Sequence, residues 1–289
     1  ITEDDIGFMI GPRLNAASRM GDPMDAFRLL SSATRETADE YADKLVHLND
    51  ARKGLVASMV KEARKHLEVR ALREVVVIGN PMWKPGLAGL VAANLVEAYA
   101  RPVFVWGRTE SGCIKGSCRS DGTVNVVELM TSVRAGVFAS IGGHELAGGF
   151  SVSSDFIHTL EDELVSVYQT VRKEKEEGEQ IVEATISLAE VNWVNWKQIE
   201  RFAPFGIGNP KPVFLFENVK LAMVRYFGKE KNHLELSFES SSVKAILFFA
   251  EDEKYKKFTT GDLINLVATI EVNTFRDKRE LRLRIVEVK

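Results

Sequence analysis

Four glycines surround one histidine in Ile141-Gly-Gly-His-Glu-Leu-Ala-Gly-Gly-Phe150. Glycine tolerates positive φ and admits close approach, so the amides of Gly142 and Gly143 can converge on an anion while His144 adds a titratable donor. That chemistry is phosphate handling. The competing reading is a glycine-rich turn between a strand and a helix, in which His144 is merely hydrogen-bonded. Upstream, Lys115-Gly-Ser-Cys-Arg-Ser120 supplies a second anion-suited element. Arg119 presents a fork of fixed donors suited to phosphate oxygens, and Ser117 and Ser120 add hydroxyls. If residues 112–119 form a strand, Ser117 and Arg119 share one face. The alternative is an exposed edge strand whose Lys and Arg guard against aggregation.

Three regions must position these residues. Residues 1 to about 32 read as a loop and short helices, including Asp25-Ala-Phe-Arg-Leu-Leu30. From about Thr34 a long helix is expected, because Ala38, Tyr41, Ala42, Leu45, Leu48, Leu55, Val56, Met59, Val60 and Ala63 recur at helical spacing. Ser31 or Ser32 is available as its cap. Asn49 and Arg52 lie one turn apart on it and face either substrate or solvent. From Glu74 the pattern predicts a mixed α/β sheet: strands at Val75–Ile78, Pro102–Trp106 and Lys115–Ser120, helices at Leu87–Ala98 and Val126–Val133, then a closing helix near Asp155–Lys173. The charged run Lys173-Glu-Lys-Glu-Glu-Gly-Glu179 marks a boundary. Beyond it, alternating segments at Phe214–Val219, Leu221–Tyr226, His233–Phe238, Lys244–Phe249, Leu263–Val272 and Leu281–Val288 predict a sandwich or small barrel. Leu281, Leu283 and Ile285 point inward there, with Arg282 and Arg284 outward. The fold class is therefore mixed α+β, with divisions at 1–70, 71–175 and 176–289.

A chain of 289 residues with 45% hydrophobic and 27% charged residues is an ordinary globular one, long enough for about two domains. No apolar run is long enough to span a bilayer and no signal peptide is visible, which points to a cytoplasmic protein without membrane partners. Cys113 and Cys118 lie on one predicted strand, so no disulfide framework is expected. His47, His66, His144, His158 and His233 show no paired metal-ligand spacing, so no metal site is expected in the chain. A formal net charge of −3 excludes nucleic-acid binding by bulk attraction; any strand must be held locally.

Three further segments, Ile10-Gly-Pro-Arg-Leu-Asn-Ala-Ala-Ser-Arg-Met20, Trp83-Lys-Pro-Gly-Leu-Ala-Gly-Leu-Val-Ala92 and Pro204-Phe-Gly-Ile-Gly-Asn-Pro-Lys-Pro212, join the two above in an order that resembles the carboxy-terminal two thirds of the RecJ family, in the DHH phosphoesterase superfamily. The resemblance implies a connecting helix, a DHH-associated α/β domain and an OB-fold. It also implies an amino-terminal metal-binding DHH domain. No Asp-His-His occurs here and the chain opens on Ile1, so it reads as a fragment beginning where that domain ends. Ser18, Lys84, Cys118 and Gly148 depart from the family pattern.

The implied activity is a 5′-3′ single-stranded-DNA exonuclease in which two manganese or magnesium ions drive hydrolysis. No catalytic residue would lie in this chain, and the fragment alone would be inactive. By resemblance, Arg119 and Ser117, with Ser120 beside them, hold a phosphate near the strand's end. His144 and the Gly142 and Gly143 amides contact the scissile or adjacent phosphate, and Arg13 and Asn15 line a cleft. On the OB-fold, Tyr226, Lys229, Lys231, Phe275 and Arg276 would meet the strand through stacking and charge, while Phe214, Phe238 and Phe248 are expected in the core. Pro204–Pro212 is expected as a rigid structural turn. Expected partners are single-stranded DNA, with a single-strand-binding protein and a helicase. Two other classes stay open: a non-catalytic strand-binding or protein-docking module, and a DHH-superfamily phosphodiesterase acting on oligonucleotides or cyclic dinucleotides.

Overall fold

The computed structural model describes residues 2–173, 181–228, 231–248, 250, 255, 257–274 and 279–288. The chain forms two compact units, one of residues 4–177 and one of 178–289 with residues 1–3. In the first, a π-helical turn Asp5–Ile10 runs into α1 (Gly11–Met20), followed by α2 (Met24–Leu30) and α3 (Arg35–Glu68). The cap of α3 is Thr34, whose hydroxyl accepts from the Thr37 amide, and not Ser31 or Ser32. Those two serines instead donate to the carbonyls of Phe27 and Arg28, closing α2. The 34 residues of α3 make a rod about 50 Å long. Its first half buries Leu45 and Asn49, its second half Met59, Val60, Ala63 and Leu67.

Strands β1 (Val76–Gly79), β2 (Val103–Arg108), β3 (Ile114–Arg119), β4 (Phe138–His144) and β5 (Ala147–Val152) form a mixed sheet in the order β1-β2-β3-β5-β4. Only β1 and β2 run parallel, joined through α4 (Pro85–Tyr99). The other pairs are antiparallel. One face buries Phe104, Ile114, Cys118, Phe150 and Val152 against α5 (Val126–Ser132) and α6 (Leu160–Val171). The opposite face buries Val76, Ile78, Val103 and Val105 against α4 and the end of α3. Being apolar on nearly every side, α4 is sandwiched between sheet and helix. It covers β2 and β3 and leaves the same face of β5 and β4 exposed.

The second unit is a closed barrel. Its strands β7 (Phe214–Phe227), β8 (His233–Phe238), β9 (Ser241–Leu247), β11 (Glu280–Val288) and β10 (Leu263–Asn273) follow one another around it, and β10 pairs back onto β7. The single parallel contact in that ring is β9 with β11. The two segments expected on either side of Lys220 are one continuous strand, β7, bent where its register shifts against both neighbours. Leu283 and Ile285 are buried and Leu281 packs against the core, the inward set expected from alternation. A short β6 (Ala184–Thr185) extends β7, and α7 (Trp193–Glu200) lays Trp196 and Ile199 on the barrel core. The Pro204–Pro212 segment is tied by the Gly206–Asn209 backbone pair, and the Asn209 amide donates to the carbonyls of Phe202 and Pro204 at 2.9 Å each.

Candidate nucleic-acid interface

Register decides what the sheet presents. Arg119 pairs with Ala147 and Ala147 with His144, while Ser117 pairs with Gly149 and Gly149 with Gly142. Cross-strand partners point to the same face, so Arg119, Ser117, Gly142 and His144 share the face that α4 only partly covers. Arg119 and His144 are two strand spacings apart, about 10 Å. Lys115, Ser151 and Ser140 form the next row, where the Ser140 hydroxyl donates to that of Ser151 at 3.0 Å. The buried Cys118 projects through the other face, where burial pushes its thiol up to about 12.

Glycines 142 and 143 lie within β4 and not in a loop, which corrects the expectation of a phosphate-wrapping turn. Only Glu145 and Leu146 form the turn to β5. Because β4 is the sheet edge, alternate amides face outward without a strand partner. Gly143 sits at φ +147°, and a Cβ there would stand 2.3 Å from the Ala147 carbonyl oxygen. The close approach of the hairpin arms therefore requires glycine, and it fixes where the neighbouring His144 emerges. The turn is pinned from outside: the Ser120 amide donates to the Leu146 carbonyl and the Val126 amide to that of Glu145, each at 2.9 Å.

Arg119 owes its place to α4. A Cβ built on the buried Gly89 would stand 2.9 Å from an Arg119 guanidinium nitrogen and 3.5 Å from the Ser117 Cβ. The guanidinium lies in the space that this glycine leaves and donates to the Cys118 carbonyl at 2.8 Å. One turn earlier on α4, the Gly86 carbonyl accepts from Arg19 at 2.9 Å. Arg52 is held beside Asn49, donating to its side-chain oxygen at 2.9 Å, while its buried Nε has no hydrogen-bond partner. Burial, with the charge of Arg19 added, pushes the Arg52 guanidinium below its ordinary range. Among the described residues no carboxylate pairs with Lys115, Arg119 or His144. Positive charge thus concentrates on this face of a chain whose net charge is negative.

Other expected contacts fare differently. Arg13, on α1, donates back to the Met9 carbonyl at 2.5 Å, and Asn15 is exposed on the same helix. The Ser120 hydroxyl donates to the Val124 carbonyl at 2.6 Å and accepts from the Gly122 amide, so it braces a loop and is no spare donor. The Tyr226 ring packs against the barrel core and its hydroxyl donates to the Tyr255 carbonyl at 2.6 Å, which makes it a structural residue and not a stacking platform. Lys231 is exposed at φ +52° in the turn after β7. Lys229, Phe275 and Arg276 lie outside the described residues.

The barrel's outer face holds a cluster in which sequence reasoning missed His233 and Phe248. Phe227, His233 and Phe248 meet edge to face, with centroids 5.2 to 6.3 Å apart, and none of them belongs to the core. Phe248 is thus outside, against expectation, while Phe238 is buried and Phe214 packs against the core from its edge. Arg284 lies 4.3 Å and Arg282 5.8 Å from the Phe248 ring centre. Nearby, Glu235 is paired by Arg225 at 2.9 Å and Lys244 at 3.2 Å. Arg282 is engaged by Glu271, whereas Arg284 has no ion pair among the described residues. The signal available in the sequence was the period of two that puts Arg282 and Arg284 outside; the position of Phe248, just past the end of β9, needed the barrel's curvature.

No group of three or more His, Cys, Asp or Glu side chains among the described residues could hold a metal ion. The described residues do not fit a divalent-metal centre.

Comparison with known proteins agrees with this architecture. Residues 71–174 match the DHHA1 domain family and residues 182–287 the RecJ OB domain family. The single-stranded-DNA-specific exonuclease RecJ of Bacillus subtilis is 30% identical over 288 residues, covering 98% of this chain and 36% of that protein. The enzyme of the same name from Haemophilus influenzae is 29% identical over 300 residues, covering 98% of this chain and 51% of its own length. The chain thus spans about half or less of these relatives. The crystal structure of RecJ with Mn2+ from Thermus thermophilus superposes with a TM-score of 0.80 at 23% identity, over 100% of this chain and 42% of that one, and shows the fold to be shared. Its Mg2+ counterpart gives 0.80 at 22% identity. The chain belongs to the RecJ family, of which it carries the DHHA1 domain and the OB domain.

Proposed function

We propose that this chain is the substrate-gripping portion of a 5′-3′ single-stranded-DNA exonuclease, with hydrolysis carried out by two divalent metals held in a DHH domain of the same enzyme. The observation that carries this reading is the placement of Arg119, Ser117 and His144, without carboxylate partners among the described residues, on one sheet face that α4 leaves open over β5 and β4. Arg119 and Ser117 grip a phosphate at the strand's end, and His144 with the outward amides of β4 touches the next one. The barrel meets single strands through Phe248 and Arg284, because base stacking beside a cation is indifferent to sequence. A single-strand-binding protein and a helicase are the partners that such an enzyme would meet. In this reading the described residues position DNA and do no metal chemistry.

The test uses this chain with 5′-phosphorylated, labelled single-stranded DNA and manganese. Binding without cleavage is expected. Arg119→Ala should weaken binding by about 10- to 100-fold, the worth of a charge-assisted bond at about 1.5–3 kcal/mol, with an unchanged melting temperature. Metal-dependent cleavage by the chain alone would overturn the assignment, and equal losses of affinity and melting temperature would make Arg119 a folding residue.

A further inference from the structure

Among the described residues, nothing apolar anchors the tip of the hairpin that carries His144. Residues 139–146 are exposed, and β4 is the outer strand of its sheet. What holds the tip from outside is polar, and most of it comes from one short segment. The Ser120 amide donates to the Leu146 carbonyl and the Val126 amide to that of Glu145, each at 2.9 Å, so both carbonyls of the turn are taken. Lys173 adds a pair with the Glu145 carboxylate at 3.4 Å, but both side chains are more than half exposed and such pairs contribute little.

Ser120 and Val126 are the two ends of a bracket. The chain leaves β3 at Ser120, turns through Gly122 at φ +95°, and re-enters the core at Val124 and Val126, which are 1% and 0% exposed. The Ser120 hydroxyl spans the neck of this bracket, donating to the Val124 carbonyl at 2.6 Å and accepting from the Gly122 amide at 3.0 Å. One end is continuous with Arg119, and the other, capped by Asn125, begins α5. On the far side the Thr123 carbonyl accepts from the Lys173 amide at 2.8 Å and the Thr123 hydroxyl from that of Tyr168 at 3.2 Å. Those contacts steady the loop without reaching the turn. The Ser120 hydroxyl joins the strand end that bears Arg119 to the arm that holds Glu145.

We infer that Ser120 is a positioning residue for the phosphate grip: by closing the neck, its hydroxyl sets the turn against β3 and so places His144 relative to Arg119. This rests on the reading of the preceding section, in which those two side chains hold neighbouring phosphates, and adds the residue that keeps them aligned. Arg119 itself is independent of the bracket, since its guanidinium lies against Gly89 and bonds the Cys118 carbonyl. A donor aimed at a phosphate oxygen loses its contact with a displacement of about 1 Å. Loss of the Ser120 hydroxyl therefore removes what His144 contributes and leaves what Arg119 contributes.

The experiment is a pair of double-mutant cycles on this chain, read as affinity for 5′-phosphorylated, labelled single-stranded DNA. Ser120→Ala and His144→Ala should each weaken binding about tenfold, and the double variant no more than either alone. Ser120→Ala combined with Arg119→Ala should instead show the product of the single losses. Tyr168→Phe, which loosens only the far side of the loop, should lower the melting temperature by about 2–4 °C and leave affinity unchanged, separating a weakened fold from a misplaced side chain. If Ser120→Ala melts too early to assay, Ser120→Cys, with a weak donor of similar size, carries the same cycles. Multiplicative losses for Ser120 and His144, or native affinity without the hydroxyl, would overturn the positioning role and leave Arg119 and His144 as phosphate contacts. No loss in His144→Ala would sink His144 as a contact, and the positioning role with it.

Discussion

Gly89 and Arg119 form a pair in which helix and proposed anion site compete for the same space. Replacing Gly89 by Ala adds about 1 kcal/mol of helix propensity, and the atom it meets is the far end of a long side chain that can swing away. The fold should tolerate the change. Arg119 should not keep its position, and a fork that must meet phosphate oxygens loses most of its advantage when displaced by an ångström. We therefore expect Gly89→Ala to melt at or above the native temperature while binding 5′-phosphorylated strands about tenfold more weakly. Calorimetry and fluorescence titration on the same sample check both halves; parallel changes in the two would contradict the pairing. Arg119, Ser117 and His144 were readable from residue type and spacing. Gly89 was not, because only the packing of α4 on β3 shows whose space it leaves open.

Among the elements, the joint between α2 and α3 has a pH dependence of defined sign. Asp25 is 1% exposed and accepts from Lys44 at 2.7 Å and Arg28 at 3.2 Å. The Lys44 hydrogen bond outweighs the opposing effect of burial and holds the carboxyl below the ordinary carboxylate range. A lowered folded-state value means that the stabilisation is full above the unfolded-state pKa and is lost as pH falls through that value toward the folded one. Asp25→Asn should lower the melting temperature near neutrality and flatten its decline in acid. Melting curves across the acid range check this, and an undiminished acid decline in the variant would show that other carboxylates carry it. Elements with one dominant period were legible: α3 and α4, and strands β8 and β10 within a few residues. The Gly142 hairpin reads as a loop in the sequence because glycine composition signals turns, and only pairing with β5 reveals an extended strand.

On the scale of the whole molecule, each unit has its own core: the barrel around Phe216, Leu221 and Leu236, the other around the two faces of the mixed sheet. A domain with its own core should fold alone. Residues 4–177 and 178–289, produced separately, are expected to melt cooperatively, each within a few degrees of its transition in the full chain. Trp83 and Trp106 report on the first and Trp193 and Trp196 on the second. An unfolded product from either half would refute their independence.

The sequence by itself determined the mixed α+β class, the long helix α3, the helices and strands on either side of the Gly142 hairpin and the types of residue able to hold a phosphate, because periodicity and side-chain chemistry are local properties. Its net charge of −3 gave no hint of a positive face, since composition sums over the surface and does not place Lys115 and Arg119 on one side of it. Tertiary structure decided which donors remain available. Pairing across β3, β5 and β4 put Arg119 and His144 on one face, while loop and core contacts occupied Ser120 and Tyr226. Barrel closure brought Arg284 over Phe248, outside the core, by pairing β9 in parallel with a strand some forty residues later. Such distant contacts are set by strand register and chain crossing, which no local pattern encodes.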